Sequence, residues 1–268
     1  MTAVNRISRC FDELAARREK GLIAYICAGD PDLDTTVRLV EAIAAAGADL
    51  VELGIPFSDP VADGPSIQRA AARALAGGVK VAQIIAAAAR IRRRTDVPLI
   101  FMTYYNPVLQ YGLEEFVRDA ASAGVDGLIV PDLPLEEAGA LLAPAGGAGL
   151  ALIPLVAPTT TPERLQAISA AARGFVYCVS VTGVTGARQE IHTDLAKFTG
   201  RVRAYTGLPL AVGFGISGPA AAARVAPCCD AVVVGSAIVD RVAAAADSDP
   251  VPAAAGLAGE IKSALVNL

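Results

Sequence analysis

Residues 49–68 read DLVELGIPFSDPVADGPSIQ. The stretch opens as a short apolar run that carries one carboxylate, Glu52. It then breaks into a loop with three prolines, Pro56, Pro60 and Pro65, and two further acids, Asp59 and Asp63. Glu52 stands where a buried strand calls for an aliphatic side chain, and a buried carboxylate costs several kcal/mol unless it is partnered or used. Asp63 follows far enough along for a loop to fold back over the strand end. A carboxylate at a strand end and another in its covering loop are a candidate acid–base pair. The bland alternatives are a structural partner for Glu52 and a loop cap for Asp63. Asp59, before Pro60, reads first as turn chemistry, and Asp30-Pro31 as the start of a helix.

Outward from this stretch the same unit repeats: an apolar run ending at Gly or Pro, a polar loop, an Ala-rich helix. Strands are predicted at 22–28, 50–53, 98–102, 127–130, 150–155, 174–179, 209–212 and 231–234. Helices are predicted at 35–46, 66–76, 81–94, 113–123, 135–142, 162–172, 194–205, 237–245 and 253–266. Eight β–α repeats are the pattern of a (β/α)8 barrel, and continuous apolar strands fit a parallel sheet covered on both faces. Ile7, Phe11 and Leu14 recur at helical spacing and predict an additional N-terminal helix. Further additional helices fall after strands two and eight. The expectation is an α/β chain forming one (β/α)8 TIM barrel over residues 1–268. A doubly wound open sheet is the alternative, but no GxGxxG follows strand one. Ala-Gly-x-Asp recurs at 46–49 and 123–126, as expected for a helix-ending glycine before a strand.

Composition narrows the functions. The chain has 268 residues, 54% of them hydrophobic, and a net charge of −4, so it presents no basic field for nucleic acid. Two charge-free runs, 138–162 and 204–223, are long enough to span a bilayer. Their prolines and glycines divide them into strand, turn and helix, so no membrane span is expected. The N-terminus lacks the apolar core of a signal peptide. Five cysteines without a CxxC pair point to free thiols and a cytoplasmic protein. The single histidine, His192, argues against a His-based metal site. Arg90, Arg92, Arg93 and Arg94 read as a solvated helix end.

Glycine-rich loops follow the last three strands: 182–186, 213–217 and Gly235-Ser236. Glycine lets backbone N–H groups approach an anion, and barrels often hold a phosphate at the seventh and eighth loops. The other strand-end residues are Asp30, Tyr104, Asn106, Asp132 and Tyr177. The residues alone leave several readings open: a lyase, an aldolase or epimerase acting on a sugar phosphate, or a non-catalytic phosphate-binding regulator.

The motifs VELGIPFSDPVADGPSIQ (51–68), MTYYNPVLQYG (102–112), VPDLP (130–134), SVTGVTGAR (180–188), GFGIS (213–217) and VVVGSAIV (232–239) closely resemble those of the tryptophan synthase α subunit family. They occur in order, one per strand end. The resemblance implies cleavage of indole-3-glycerol phosphate to indole and glyceraldehyde 3-phosphate, with no cofactor. It also implies a β subunit that consumes the indole in an α2β2 assembly. By resemblance Glu52 and Asp63 are the catalytic acids. Thr185 and Gly186 belong to a mobile sixth loop. Gly215, Gly235 and Ser236 form the phosphate cradle, Phe214 is a further substrate- or phosphate-binding residue, and Tyr25 and Tyr177 line the substrate pocket. Tyr25 takes a position where the family often has Phe. Pro56, Asp59, Asn106, Asp132 and Pro134 fall in segments resembling the β-subunit contact surface. A stand-alone indole-releasing lyase and a non-catalytic activator of the β subunit are the alternatives within this reading. The Asp63 loop and residues 182–190 are expected to act as lids.

Overall fold

A computed structural model describes residues 5–179, 194–213, 215–245 and 248–266. The strands are β1 (Gly21–Cys27), β2 (Leu50–Gly54), β3 (Leu99–Met102), β4 (Gly127–Ile129), β5 (Ala151–Leu152), β6 (Leu155–Val156), β7 (Val176–Val179), β8 (Leu210–Gly213) and β9 (Ala231–Val234). Every pairing is parallel, in the order β5-β4-β3-β2-β1-β9-β8-β7-β6. The two ends of that order are consecutive pieces of one strand. Proline has no N–H to give a ladder, so the strand expected at 150–155 is interrupted at Ile153-Pro154. The Ile153 N–H still donates to Leu128 O at 2.9 Å, and Pro154 O accepts from Tyr177 N at 3.0 Å. The sheet therefore closes, and the eight expected strands form a barrel.

Alternation along the strands sorts the core into two layers. Leu22, Val51, Leu99, Leu128, Val176 and Val232 pack outward against the helices. Ile23, Leu50, Ile100, Ile129, Phe175 and Ala211 pack inward. The N-terminal helix, Arg6–Arg17, is capped by Asn5, whose side chain accepts from Ile7 N at 2.9 Å. Its buried Ile7, Phe11 and Leu14 close the barrel floor, with Phe11 and Phe175 rings 5.6 Å apart. The Ala-Gly-x-Asp glycines have the positive φ that ends a helix: Gly47 at 109° and Gly124 at 84°.

The aspartates of those junctions do more than enter a strand. Asp49 accepts the Leu22 N–H at 2.8 Å and Asp126 the Leu99 N–H at 2.9 Å, and Asp230 repeats this with Leu210 at 2.8 Å. Each also holds a cation: Lys262, Arg92 and Arg203 respectively. The reading of Arg92 as a solvated helix end is thereby corrected. Its side chain is 12% exposed, because Asp126, at 4%, needs a counter-charge. Arg90 and Arg94 are pinned as well, to Asp34 and Glu41.

Additional helices are present where expected, Pro65–Ala76 with Val81–Arg92 after β2, and Ser236–Ala244 with Val251–Val266 after β9. Three details differ from expectation. Short helices at Tyr105–Tyr111 and Pro219–Val225 were not foreseen. The helix expected at 135–142 runs instead over Gly139–Gly147, since residues 135–138 form turns, and it contains Pro144. Asp32, not Asp30, caps the second helix, accepting from Thr35 N at 2.7 Å. Asp30 is buried and gripped by Arg73 through bonds of 2.8 and 2.7 Å. Among the described residues no single helix is long and apolar enough to cross a membrane. All five cysteines are free thiols, Cys10 and Cys228 half-buried and the others buried.

Candidate active site

The C-terminal ends of β1, β2, β7 and β9 surround a cavity of about 480 Å³. Glu52, at the centre of β2, lines it and is 1% exposed. Among the described residues no group donates a hydrogen bond to its Oε1, although that atom is buried. Burial without a counter-charge pushes the Glu52 carboxyl up to about 8. The side chain is therefore a neutral acid at neutral pH, held where it can give a proton away.

Asp63 comes from the loop between β2 and the helix Pro65–Ala76 and lines the same cavity. Its N–H donates to Pro60 O at 3.0 Å, and its carbonyl accepts from Gln68 Nε2 at 2.9 Å. The loop is also tied to the barrel wall, where Tyr104 Oη accepts the Ala62 N–H at 2.9 Å. Burial raises Asp63 to about 6, and the Tyr104 hydroxyl beside it pulls the other way. Two carboxyls in one cavity thus have different proton affinities, one neutral and one ionised near pH 7.

The walls are aromatic and apolar. Tyr25 and Tyr177 are buried on β1 and β7, with hydroxyls pushed well above the usual phenol range, first by burial and then by nearby acids that include Glu52 and Asp63. Ile67, Met102 and Val233 add to the apolar lining. Gly215, Gly235 and Ser236 line the same cavity, with Gly215 at φ +75° and Ser236 opening the helix Ser236–Ala244. The structure thus brings together Tyr25, Glu52, Asp63, Tyr177, Gly215, Gly235 and Ser236. Thr185, Gly186 and Phe214, the 182–190 lid and His192 lie outside the described residues. Asp59, Asn106, Asp132 and Pro134 are exposed and do not line the cavity, and Pro56 is buried. Asp132 is committed to Tyr105 N at 2.9 Å. Reading the sequence singles out neither Ile67 nor Met102, whose places in the lining follow only from the folded chain, whereas Ser217 lies in the glycine-rich loop it does single out.

A parallel barrel with two unequal carboxyls at its C-terminal mouth defines an acid–base enzyme of the TIM-barrel class. Comparison narrows that class: the family model for the tryptophan synthase alpha chain matches residues 11–264, and the chain belongs to that family. The chain is 53% identical over 240 residues to the tryptophan synthase alpha chain of Caldanaerobacter subterraneus subsp. tengcongensis, covering 90% of this chain and 91% of that one. It is 46% identical over 260 residues to that of Rippkaea orientalis, covering 97% of each. The solved alpha chain of Legionella pneumophila subsp. pneumophila superposes with a TM-score of 0.91 at 39% identity, covering 99% of both chains. A tryptophan synthase structure from Mycobacterium tuberculosis gives 0.89 at 41%, covering 97% of this chain and 98% of that one. The chain is thus a carbon–carbon lyase of tryptophan biosynthesis, and its reaction is cleavage of indole-3-glycerol phosphate.

Proposed function

We propose that Glu52 carries the proton traffic of this cleavage and that Asp63 stabilises the charge it creates. An indole carbanion is a poor leaving group, so ring C3 must be protonated before its bond to the glycerol chain breaks. Glu52, neutral by burial, gives C3 that proton and becomes a carboxylate. The ring nitrogen then bears positive charge, and the ionised Asp63 accepts its N–H. As the C3–carbon bond breaks and its electrons return to the ring, the hydroxyl on the departing carbon becomes the aldehyde. Its proton passes to Glu52, which ends as it began. Gly215, Gly235 and Ser236 hold the phosphate through backbone N–H groups and the helix N-terminus. Tyr25 and Tyr177 flank the ring, and Thr185, Gly186 and Phe214 complete the site by family resemblance. The observation that carries the reading is the buried oxygen of Glu52, without a hydrogen-bond partner among the described residues, in a cavity shared with Asp63.

The family works with a β subunit. We further infer an α2β2 assembly in the cytoplasm, with residues 1–268 acting as one domain. Pro56, Asp59, Asn106, Asp132 and Pro134 belong to the segments of its contact surface, Pro56 as a buried member. The exposed apolar Val61, 75% accessible, and Leu109, 46%, lie in the same loop and helix and support that surface. Indole formation from indole-3-glycerol phosphate, measured with the β subunit added and omitted, tests this. Stimulation by the partner is expected. Full activity alone would favour a solitary lyase, and stimulation of the partner with no cleavage would favour an activator.

A further inference from the structure

The helix Pro65–Ala76 begins two residues after Asp63, and its own chain leaves that end bare. The N-cap Gly64 offers no side chain, and the first turn holds no acid. The partial positive charge of that end favours an acid supplied from another element. Asp240 supplies a carboxylate there. It lies in the helix Ser236–Ala244, four positions after Ser236. Its Oδ2 accepts from Ser66 Oγ at 3.0 Å, and its Oδ1 stands 3.7 Å from Arg69 Nη2. Arg69 also donates to Ser66 Oγ at 3.2 Å. Asp240 lines the same cavity as Glu52 and Asp63.

We propose that Asp240 is a positioning residue, clamping the first turn after Asp63 to the helix that begins at Ser236 and so fixing the distance between the two ends of the site. The inference rests on the roles proposed above for Asp63 and Ser236. A substrate with a ring at one end and a phosphate at the other spans a fixed length. Groups that grip both ends are effective only when their separation matches it. Asp63 follows the first turn because its carbonyl is bonded to Gln68 Nε2 within that helix, at 2.9 Å. Tyr25, Cys27, Tyr104 and Tyr177 face Asp63 from the barrel wall, and Glu52 shares its cavity. Arg69 faces Asp240, and Arg73 lies within electrostatic range of it.

The test uses Asp240→Ala, Ser66→Ala and the double variant in complex with the β subunit, with Asp63→Asn run in parallel. Each single variant is expected to lower kcat by about three- to fivefold, with the double no worse than either alone. The acid limb of the pH–rate profile is expected to move down, because a loosened Asp63 gains solvent. Unchanged kcat and acid limb would overturn the inference, even with a lowered melting temperature. A rise in KM alone, or fully additive losses, would also overturn it. If Asp63→Asn keeps wild-type turnover, the role of Asp63 itself fails. If Asp63→Asn is inactive while Asp240→Ala and Ser66→Ala match wild type, only the clamp fails.

Discussion

Tyr25 and Glu52 are register partners across the β1–β2 ladder, and both line the mouth cavity. Tyr25 can lie there because the residue two along from Glu52 is glycine. A Cβ on Gly54 would stand 2.6 Å from Tyr25 Cζ and closer still to its hydroxyl. On the other side, a Cβ on Gly235 would stand 3.4 Å from the Tyr25 Cβ, an ordinary contact.

Gly54→Ala is therefore expected to destabilise the protein by about 1–3 kcal/mol, because a buried ring cannot step aside cheaply. Tyr25→Leu removes the obstacle. The double variant should be more stable than the sum of the single losses, as read from denaturant midpoints. Strict additivity would mean that the ring and the glycine do not constrain each other.

Stability should fall as pH rises through the Glu52 window. The folded carboxyl holds its proton to about 8, whereas an unfolded one ordinarily releases it near 4.5. Between those values the unfolded chain binds fewer protons, so raising pH favours unfolding by several kcal/mol in total. Asp63 adds the same sign over a lower window, from its ordinary 3.8 to about 6. Urea unfolding at pH 5, 6.5 and 8 should show the decline in wild type and a flatter course in Glu52→Gln. Equal slopes would contradict the burial argument.

The pH dependence of kcat/KM should be bell-shaped. Asp63 must be ionised, which sets an acid limb near about 6, and Glu52 must be protonated, which sets an alkaline limb near about 8. Asp63→Asn should remove the acid limb along with most of the rate. A profile flat from pH 5 to 9 would contradict the pairing.

Asp126→Ala should cost about 3–5 kcal/mol in thermal unfolding, because it takes the counter-charge from the half-buried Arg92 and the acceptor from the Leu99 N–H together. Activity per folded molecule should persist, since Asp126 does not line the cavity. A loss under 1 kcal/mol would make the junction a mere strand start.

Much of the fold was legible because apolar runs alternate with Ala-rich helices, a local pattern that needs no knowledge of distant contacts. The helix Tyr105–Tyr111 escaped because it is short and contains a proline, yet Pro107 falls in the first turn, where N–H groups lack intrahelical partners anyway. Glu52 stood out because a carboxylate in an aliphatic run is locally anomalous. The ion pairs of Asp126 with Arg92, the Asp30–Arg73 fork and the bond from Ser66 to Asp240 were hidden. Each joins residues 34 to 174 positions apart, and no local pattern records such a pairing.

The most direct measurement is indole release by Glu52→Gln in complex with the β subunit, with substrate binding followed in the same samples. Glutamine keeps the shape and has no proton to give, so release should fall below detection while indole-3-glycerol phosphate still binds. Wild-type release from that variant would contradict the account at its centre.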